Sequence, residues 1–194
     1  GDATPFLVHL AKIIPSERDR VILICYMAAC VQHQGHKFQW APLIQGAPGN
    51  GKSLLSRCVA EAIGRRYVHW PKASKLAAKP MITGGDGLEI ESKGVDQISA
   101  DICGNFLFNC NSKSDLPKTN DDRRYAVFHS AQQTAADVLR DGMGGDYFPR
   151  LYAWLRAEGY AIVSDFLWTY PIPSELNPAV TAGGLLHRAP DTSS

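Results

Sequence analysis

The sequence predicts an α/β protein, a sheet flanked by helices with further helices at both ends. Predicted strands alternate with predicted helices along most of the chain, and a glycine-rich loop stands between the first strand and a helix. The composition, 45% hydrophobic and 20% charged residues, is that of an ordinary globular protein. A chain of 194 residues is long enough to build a hydrophobic core.

Two helices are predicted before the first strand. The first covers residues 5–13, and Ser16 is then the predicted N-cap of a second helix over 17–34. The middle of the second helix is apolar nearly all round, which indicates burial. Residues 1–36 are therefore predicted to form an N-terminal helical segment.

The remaining elements divide into a central region, 37–170, and a tail or linker, 171–194, rich in Pro, Gly, Ser and Thr. Pro42 in the first strand favours an edge position or a bend. The predicted strands are 38–45, 66–70, 105–110 and 125–129, with a hairpin at 88–98, and the predicted helices are 52–63, 72–78, 134–140, 148–158 and 161–169.

The strongest motif is the loop Gly46–Ser53, which matches G-x-x-x-x-G-K-[ST] at every defined position. Backbone N–H groups of such a loop surround triphosphate oxygens, and side chains at the glycines would prevent this. Lys52 would neutralise the β- and γ-phosphates, and Ser53 would give Mg²⁺ a hydroxyl ligand. The alternative is a chance glycine-rich turn, but a strand precedes the loop and an amphipathic helix follows it. The residues predicted to bind ATP are Gly46, Ala47, Pro48, Gly49, Asn50, Gly51, Lys52, Ser53 and Leu54.

Charge and cysteine content exclude several other classes. The net charge of +1 means that any nucleic-acid binding must come from a local basic surface. The five cysteines show no CxxC spacing, so we expect reduced thiols and no zinc site.

The longest apolar run, 21–31, is too short for a membrane span. Asp2 and Pro5 interrupt the region of a signal peptide, so a cytoplasmic location is expected. We also expect the chain to be a segment of a longer protein.

Beyond the loop, three further segments carry a family resemblance: Gly-Gly-Asp-Gly-Leu-Glu-Ile-Glu-Ser-Lys-Gly at 84–94, Asn-Phe-Leu-Phe-Asn-Cys-Asn at 105–111 and Asp-Asp-Arg-Arg-Tyr at 121–125. In this order they resemble the helicase domain of superfamily III phage and plasmid primase-helicases, over about residues 6–168. The resemblance implies an AAA+-like P-loop NTPase fold. It also implies a hexameric ring, a homo-oligomer that moves along single-stranded DNA as ATP is hydrolysed between subunits in a phage-infected or bacterial cell.

The resemblance assigns roles to two single residues. Asn111 would stand at the end of the strand beside the phosphate loop and hold the attacking water or the γ-phosphate. Lys93 would lie at a hairpin tip in the ring channel and bind a DNA phosphate. The alternatives remain that Asn111 caps a turn and that Lys93 belongs to a solvated turn.

The resemblance also implies an arginine finger that reaches the γ-phosphate bound by a neighbouring subunit. Arg123 or Arg124 would supply it. Adjacent residues at the start of a strand point in opposite directions, so only one of them can act, and the sequence does not choose between them. The alternative is a surface salt-bridge cluster with Asp121 and Asp122.

One expected feature of such an ATPase is missing from the sequence. No apolar strand ending in an acidic pair lies between Gly64 and Asn105, and the interval holds about 40 residues where the expected elements need roughly 60. We hypothesise that a segment is absent near Ala77–Pro80. A chain mass larger than the sequence implies would support this; an equal mass would contradict the omission and cast doubt on hydrolysis.

The sequence therefore predicts an ATP-dependent DNA helicase or translocase domain of a phage or mobile-element replication protein. Three alternatives stay open: an ATPase that remodels or loads without unwinding, a nucleotide-binding module without hydrolysis, and a nucleotide or small-molecule kinase. The kinase is the weakest of them, because no arginine-rich lid follows Tyr125.

Overall fold

The computed structural model describes residues 1–70, 104–111 and 125–180, and the backbone of 88–90 and 98–100. It confirms the α/β class. The helices are α1 Thr4–Ile13, α2 Glu17–Gln32, α3 Lys52–Ile63, α4 Ala135–Arg140, α5 Tyr147–Trp154 and α6 Tyr160–Thr169. The strands are β1 Ala41–Gln45, β2 Leu88–Ile90, β3 Ile98–Ala100, β4 Phe108–Cys110 and β5 Tyr125–His129. Short 3₁₀ turns cover Arg65–Tyr67 and Ser174–Leu176.

Three parallel strands form the main sheet in the order β4-β1-β5. All five residues of β1 are buried between the other two strands. Gln45, the last residue of β1, is in register with Cys110 on one side and His129 on the other. The chain therefore leaves all three strands at one edge of the sheet, where ligands of open α/β sheets bind.

The edge position predicted from Pro42 was wrong, since β1 is the central strand among those described. Pro42 pairs with Ala126 of β5, whereas the pairing with β4 begins only at Leu43. A proline lacks the N–H that a ladder needs, and here it lies before the first residue that β4 pairs. The strand also begins at Ala41, three residues later than predicted.

The N-terminal helices form much as the sequence predicts. Ser16 is the N-cap of α2, and its hydroxyl accepts a hydrogen bond from the Asp19 N–H at 3.3 Å. The middle of α2 is buried, and the Tyr26 hydroxyl donates to the Phe106 carbonyl at 2.8 Å. This bond and the packing of α2 against α3 and α6 join the N-terminal helices to the core that contains β1.

Two predicted helices, 148–158 and 161–169, are one continuous helical rod in the structure. Between α5 and α6 the backbone stays helical through Leu155–Gly159, which forms a π-helical segment. Gly159 adopts ordinary right-handed values (φ −60°, ψ −37°), so it does not end the helix. A π segment keeps the backbone helical, so the break predicted between residues 158 and 161 is wrong.

Three further predictions concern the chain between α3 and β4. The strand predicted at 66–70 is wrong, because Tyr67 N–H and Val68 N–H donate to the carbonyls of Gly64 and Arg65 in tight local turns. The antiparallel pairing predicted for the hairpin is confirmed, since Leu88 pairs with Ala100, but the second strand begins at Ile98, where the predicted hairpin ends. The helix predicted at 72–78 lies outside the described residues.

The chain beyond α6 runs back over α2 as far as residue 180. Gln32 Nε2 donates to the carbonyls of Leu167 and Tyr170, at 2.8 and 2.9 Å, and the Asn177 side chain contacts His33 Nε2 at 3.2 Å. No helix in the described part of the chain is both long and apolar enough to cross a membrane.

Candidate functional site

The glycine loop lies at the sheet edge where β1, β4 and β5 end. The register places Gly46, Asn111 and Ser130 one residue beyond the paired ends of the three strands. Gly46 N–H donates to the Cys110 carbonyl, and Ala47 N–H donates to the Gln132 carbonyl at 2.8 Å. A Cβ at Gly46 would stand 1.8 Å from Ser130 Oγ, so this position accepts only glycine. The neighbouring strands thus fix the base of the loop.

Lys52 lies within the loop rather than in solvent. The residue is 5% exposed, and Nζ is 2.8 Å from the Gly46 carbonyl oxygen and 2.7 Å from that of Ala47. Nζ is also 3.2 Å from Asn111 Oδ1, which brings in β4. Burial lowers the pKa of Lys52, although four oxygen atoms surround its ammonium group. An ammonium has three donors, so these acceptors share them.

Asn50 connects Lys52 to the loop after β5. Its Oδ1 accepts from Lys52 Nζ at 3.1 Å, which assigns the amide nitrogen to the opposite side, where it donates to Ser130 Oγ at 3.0 Å. Gln132 lies behind Asn50 and donates to the Lys12 carbonyl and to Asp141 Oδ2, at 2.8 and 2.7 Å. Asn50 and Gln132 are fully buried, so these hydrogen-bonded side chains form a rigid layer behind the loop.

Gly51 is held against α1 and α5. Its φ of +85° is in the left-handed region, and a Cβ there would stand 2.6 Å from the His9 ring and 2.8 Å from Phe148 Cε1. His9 Nε2 lies 3.3 Å from the Gly51 carbonyl oxygen. Because a carbonyl only accepts, Nε2 carries a proton; in neutral His9, Nδ1 then accepts from the Tyr147 hydroxyl at 2.9 Å.

The environment of His9 strongly disfavours its charged form. The residue is fully buried. Burial, helped by nearby Lys12, lowers the pKa of His9 from 6.5 to about 4, even though the Gly51 carbonyl acts in the other direction.

Protonation of His9 is expected to destabilise the fold at acidic pH. With a folded-state pKa of about 4 and an ordinary value of 6.5, the unfolded chain takes up the proton first, so this contribution is complete above pH 6.5 and is lost as pH falls towards 4. A difference of one between the folded and unfolded pKa values corresponds to about 1.4 kcal/mol of unfolding free energy. Urea unfolding at pH 5 and pH 7 should show a smaller pH-dependent loss in His9→Gln than in wild type. Equal losses would show that His9 is not responsible.

The loop and the first turn of α3 present N–H groups that suit an anion. Within the described ranges, no hydrogen-bond partner is found for the backbone N–H groups of Gly49, Gly51 and Ser53. The N-terminus of a helix adds a partial positive charge, and Lys52 adds a full one. Leu54, in contrast, is buried and donates its N–H to the Gly51 carbonyl at 2.9 Å.

A cavity of about 480 Å³ opens in front of the loop. Backbone of the loop, amide side chains from the β4 side and aromatic side chains of α5 face it from different directions. Its lining residues are Pro48, Gly49, Asn50, Gly51, Lys52, Ser53, Arg57, Asn109, Asn111, Phe148 and Tyr152.

Of the residues selected from the sequence, the structure describes the loop residues and Asn111, and it brings these together. The loop residues and Asn111 form one site, and Ser53 lines the cavity with an exposed side chain suited to a metal ligand. Lys93, Arg123, Arg124 and the interval Ala77–Pro80 lie outside the described residues. The described residues contain no cluster of three or more His, Cys, Asp or Glu side chains for a metal ion.

Sequence reasoning missed several residues that shape the site. His9 and Gln132 are buried polar side chains that come from distant parts of the chain, and no motif marks them. Phe148 and Tyr152 stand four apart on α5, a spacing that in a sequence indicates no more than ordinary helix packing.

Comparisons with known proteins find a partial match to a family model and solved structures with a similar fold. Residues 69–124 match the model of a family of unknown function, DUF5906. An apo structure of the NrS-1 C-terminal region superposes with a TM-score of 0.70 at 14% identity, covering 92% of this chain and 48% of that one. An A-form apo structure of the same region gives 0.69 at 16% identity, covering 90% and 46%. No curated protein matches the sequence.

These matches establish similarity of fold. The chain spans about half the length of the NrS-1 region, so the two share one part of that larger structure. The family match covers fewer than half of the residues, and most of it lies outside the described part of the chain.

Proposed function

We propose that this chain is an AAA+-like P-loop ATPase domain that drives a helicase or translocase on single-stranded DNA in a phage or mobile-element replication protein. The placement of Lys52 carries the proposal. Its ammonium group lies within the glycine loop, between loop carbonyl oxygens and the side chain of Asn111 at the end of the adjacent parallel strand. A β- or γ-phosphate oxygen of ATP would replace the carbonyl oxygens as acceptors for Lys52.

Part of the donor set that Mg²⁺ needs beside ATP is present at the site. Mg²⁺ takes oxygen ligands, keeps several waters and is usually bound through the substrate phosphates and one or two carboxylates, and no Asp or Glu of the described residues lines the cavity. Ser53 supplies an exposed hydroxyl at the first turn of α3. The ion would neutralise charge between the β- and γ-phosphates, while Asn111 would orient the water or the γ-phosphate from the β4 side.

The replication context rests on fold similarity together with the family resemblance. NrS-1 is a phage primase-helicase, and the superposition covers nine-tenths of this chain. By this analogy we propose a hexameric homo-oligomer that binds single-stranded DNA through Lys93 and completes each ATP site with Arg123 or Arg124 of a neighbour.

Steady-state ATP hydrolysis with and without single-stranded DNA tests this function. DNA is expected to stimulate turnover in wild type, and Lys52→Ala is expected to reduce it to background because the phosphates lose their main cation. Lys37→Ala is the matched control, since Lys37 is exposed and outside the cavity. Its activity should equal that of wild type.

Other outcomes would select another function. ATP binding without turnover under any DNA would indicate a nucleotide-binding module, and phosphoryl transfer to a small acceptor would indicate a kinase. DNA-stimulated hydrolysis without strand displacement would indicate a remodelling ATPase. If ATP does not bind at all, the proposal is wrong.

A further inference from the structure

The cavity continues past the loop onto two aromatic residues and an arginine. Phe148 and Tyr152 are one turn apart on α5, and both line the cavity. Tyr152 is half-buried, and the Arg57 guanidinium lies 5.9 Å from the centre of its ring. Phosphate binding does not use aromatic rings, so the two rings at this end of the cavity offer an apolar surface to a different part of the same ligand.

The direction of α5 relative to α3 shows which part that is. Phe148 stands beside Gly51 in the loop, so α5 starts at the phosphate end. Tyr152 is four residues further along α5 and contacts Arg57, which is four residues beyond Ser53 on α3. Four helical residues span about 6 Å. If the loop holds the phosphates of a nucleotide, the rest of the nucleotide would therefore extend along α3 towards Tyr152.

We propose that Tyr152, with Phe148 and Arg57, forms the subsite for the base of a nucleoside triphosphate. The subsite rests on the proposed nucleotide-binding function and adds to it how the base is recognised. The base stacks on the Tyr152 ring, and the Arg57 guanidinium supplies positive charge beside the anionic nucleotide.

Recognition by stacking makes the subsite tolerant of base identity. Every base has a π-face, whereas discrimination between adenine and guanine needs hydrogen-bonding groups placed at the base edges. Of the amides that line the cavity, Asn109 donates its Nδ2 to Ser56 Oγ at 2.9 Å and Asn111 accepts from Lys52 with its Oδ1, and neither residue is one of the three proposed to contact the base. The two purine nucleotides should therefore bind with similar affinity, and pyrimidine nucleotides, which stack over a smaller area, more weakly.

The test compares ATP, GTP and CTP with inorganic tripolyphosphate, which fits the loop but has no base. Binding is measured by calorimetry with Mg²⁺ for wild type, Tyr152→Leu, Tyr152→Phe and Lys52→Ala. Trp168→Leu is the control, because Trp168 is an exposed aromatic residue of α6 outside the cavity. Urea unfolding of each variant checks that the fold is retained.

Tyr152→Leu should weaken ATP and GTP by about tenfold, the range expected for loss of one stacked ring, and leave tripolyphosphate unchanged. Tyr152→Phe and Trp168→Leu should leave all four ligands unchanged. An equal loss for ATP and tripolyphosphate in Tyr152→Leu would overturn the subsite, as would an unchanged ATP affinity while tripolyphosphate still depends on Lys52. A strong preference for ATP over GTP would overturn recognition by stacking. If wild type binds neither ATP nor tripolyphosphate, the proposed function itself fails, and the subsite with it.

Discussion

Asn111→Ala is expected to slow ATP hydrolysis by about 10²-fold while changing ATP affinity much less. Asn111 Oδ1 lies 3.2 Å from Lys52 Nζ, at the end of the strand beside the loop. In the proposed function Asn111 would orient the attacking water or the γ-phosphate, and removal of one such polar group costs typically about 10² to 10³ in turnover. The remaining contacts of Lys52, to Gly46 and Ala47, still hold it in the loop.

Single-turnover hydrolysis and equilibrium binding of ATP, measured on the same preparation, separate these two effects. Asn109→Ala is the comparison variant, because Asn109 is two residues earlier in the chain but bonds to Ser56 of α3. Its turnover should fall less than that of Asn111→Ala. A loss of affinity as large as the loss of turnover would show that Asn111 acts in binding, and no loss of either would support the view that Asn111 only caps a turn.

The loop and its helix could be predicted from the sequence because their signal is local. The predicted helix 52–63 has the bounds of α3, and the positive φ of Gly49 and Gly51 explains why glycines stand there. The contact between Asn111 and Lys52 could not be derived from the residues alone, since it depends on which strands are neighbours. The family resemblance supplied only the expectation that Asn111 stands at the end of the strand beside the phosphate loop, and the sheet order places β4 next to β1.

The residues behind the loop could not be predicted, for a physical reason. His9 and Gln132 are ordinary polar residues in sequence, and their roles come only from burial against distant parts of the chain. The strand predicted at 66–70 failed because the glycine at 64 (φ +101°) begins a set of local turns. In these places tertiary contacts and turn chemistry override alternating hydrophobicity.

Gly51→Ala is expected to destabilise the fold by about 3 kcal/mol and to weaken ATP binding. A left-handed φ costs a non-glycine residue roughly 1–2 kcal/mol. The added methyl would also stand 2.6 Å from the His9 ring, which two hydrogen bonds hold in place, and overpacking of this kind costs about 1–3 kcal/mol. Relief of the clash would turn the peptide between Gly51 and Lys52, whose N–H donates to Asn50 Oδ1 at 3.3 Å in the phosphate-binding loop.

Gly35→Ala separates the two causes in urea unfolding. Gly35 has nearly the same φ, +87°, but no atom of the described residues lies within 4 Å of the position of a Cβ, so this variant is expected to suffer only backbone strain. Adding His9→Ala to Gly51→Ala should recover the part due to the ring but not the part due to φ, which a double-mutant cycle measures. Equal destabilisation by Gly51→Ala and Gly35→Ala would mean that α1 yields to the added methyl. In that case the contact between His9 and the loop does not fix the conformation of Gly51, and α1 has no part in shaping the phosphate site.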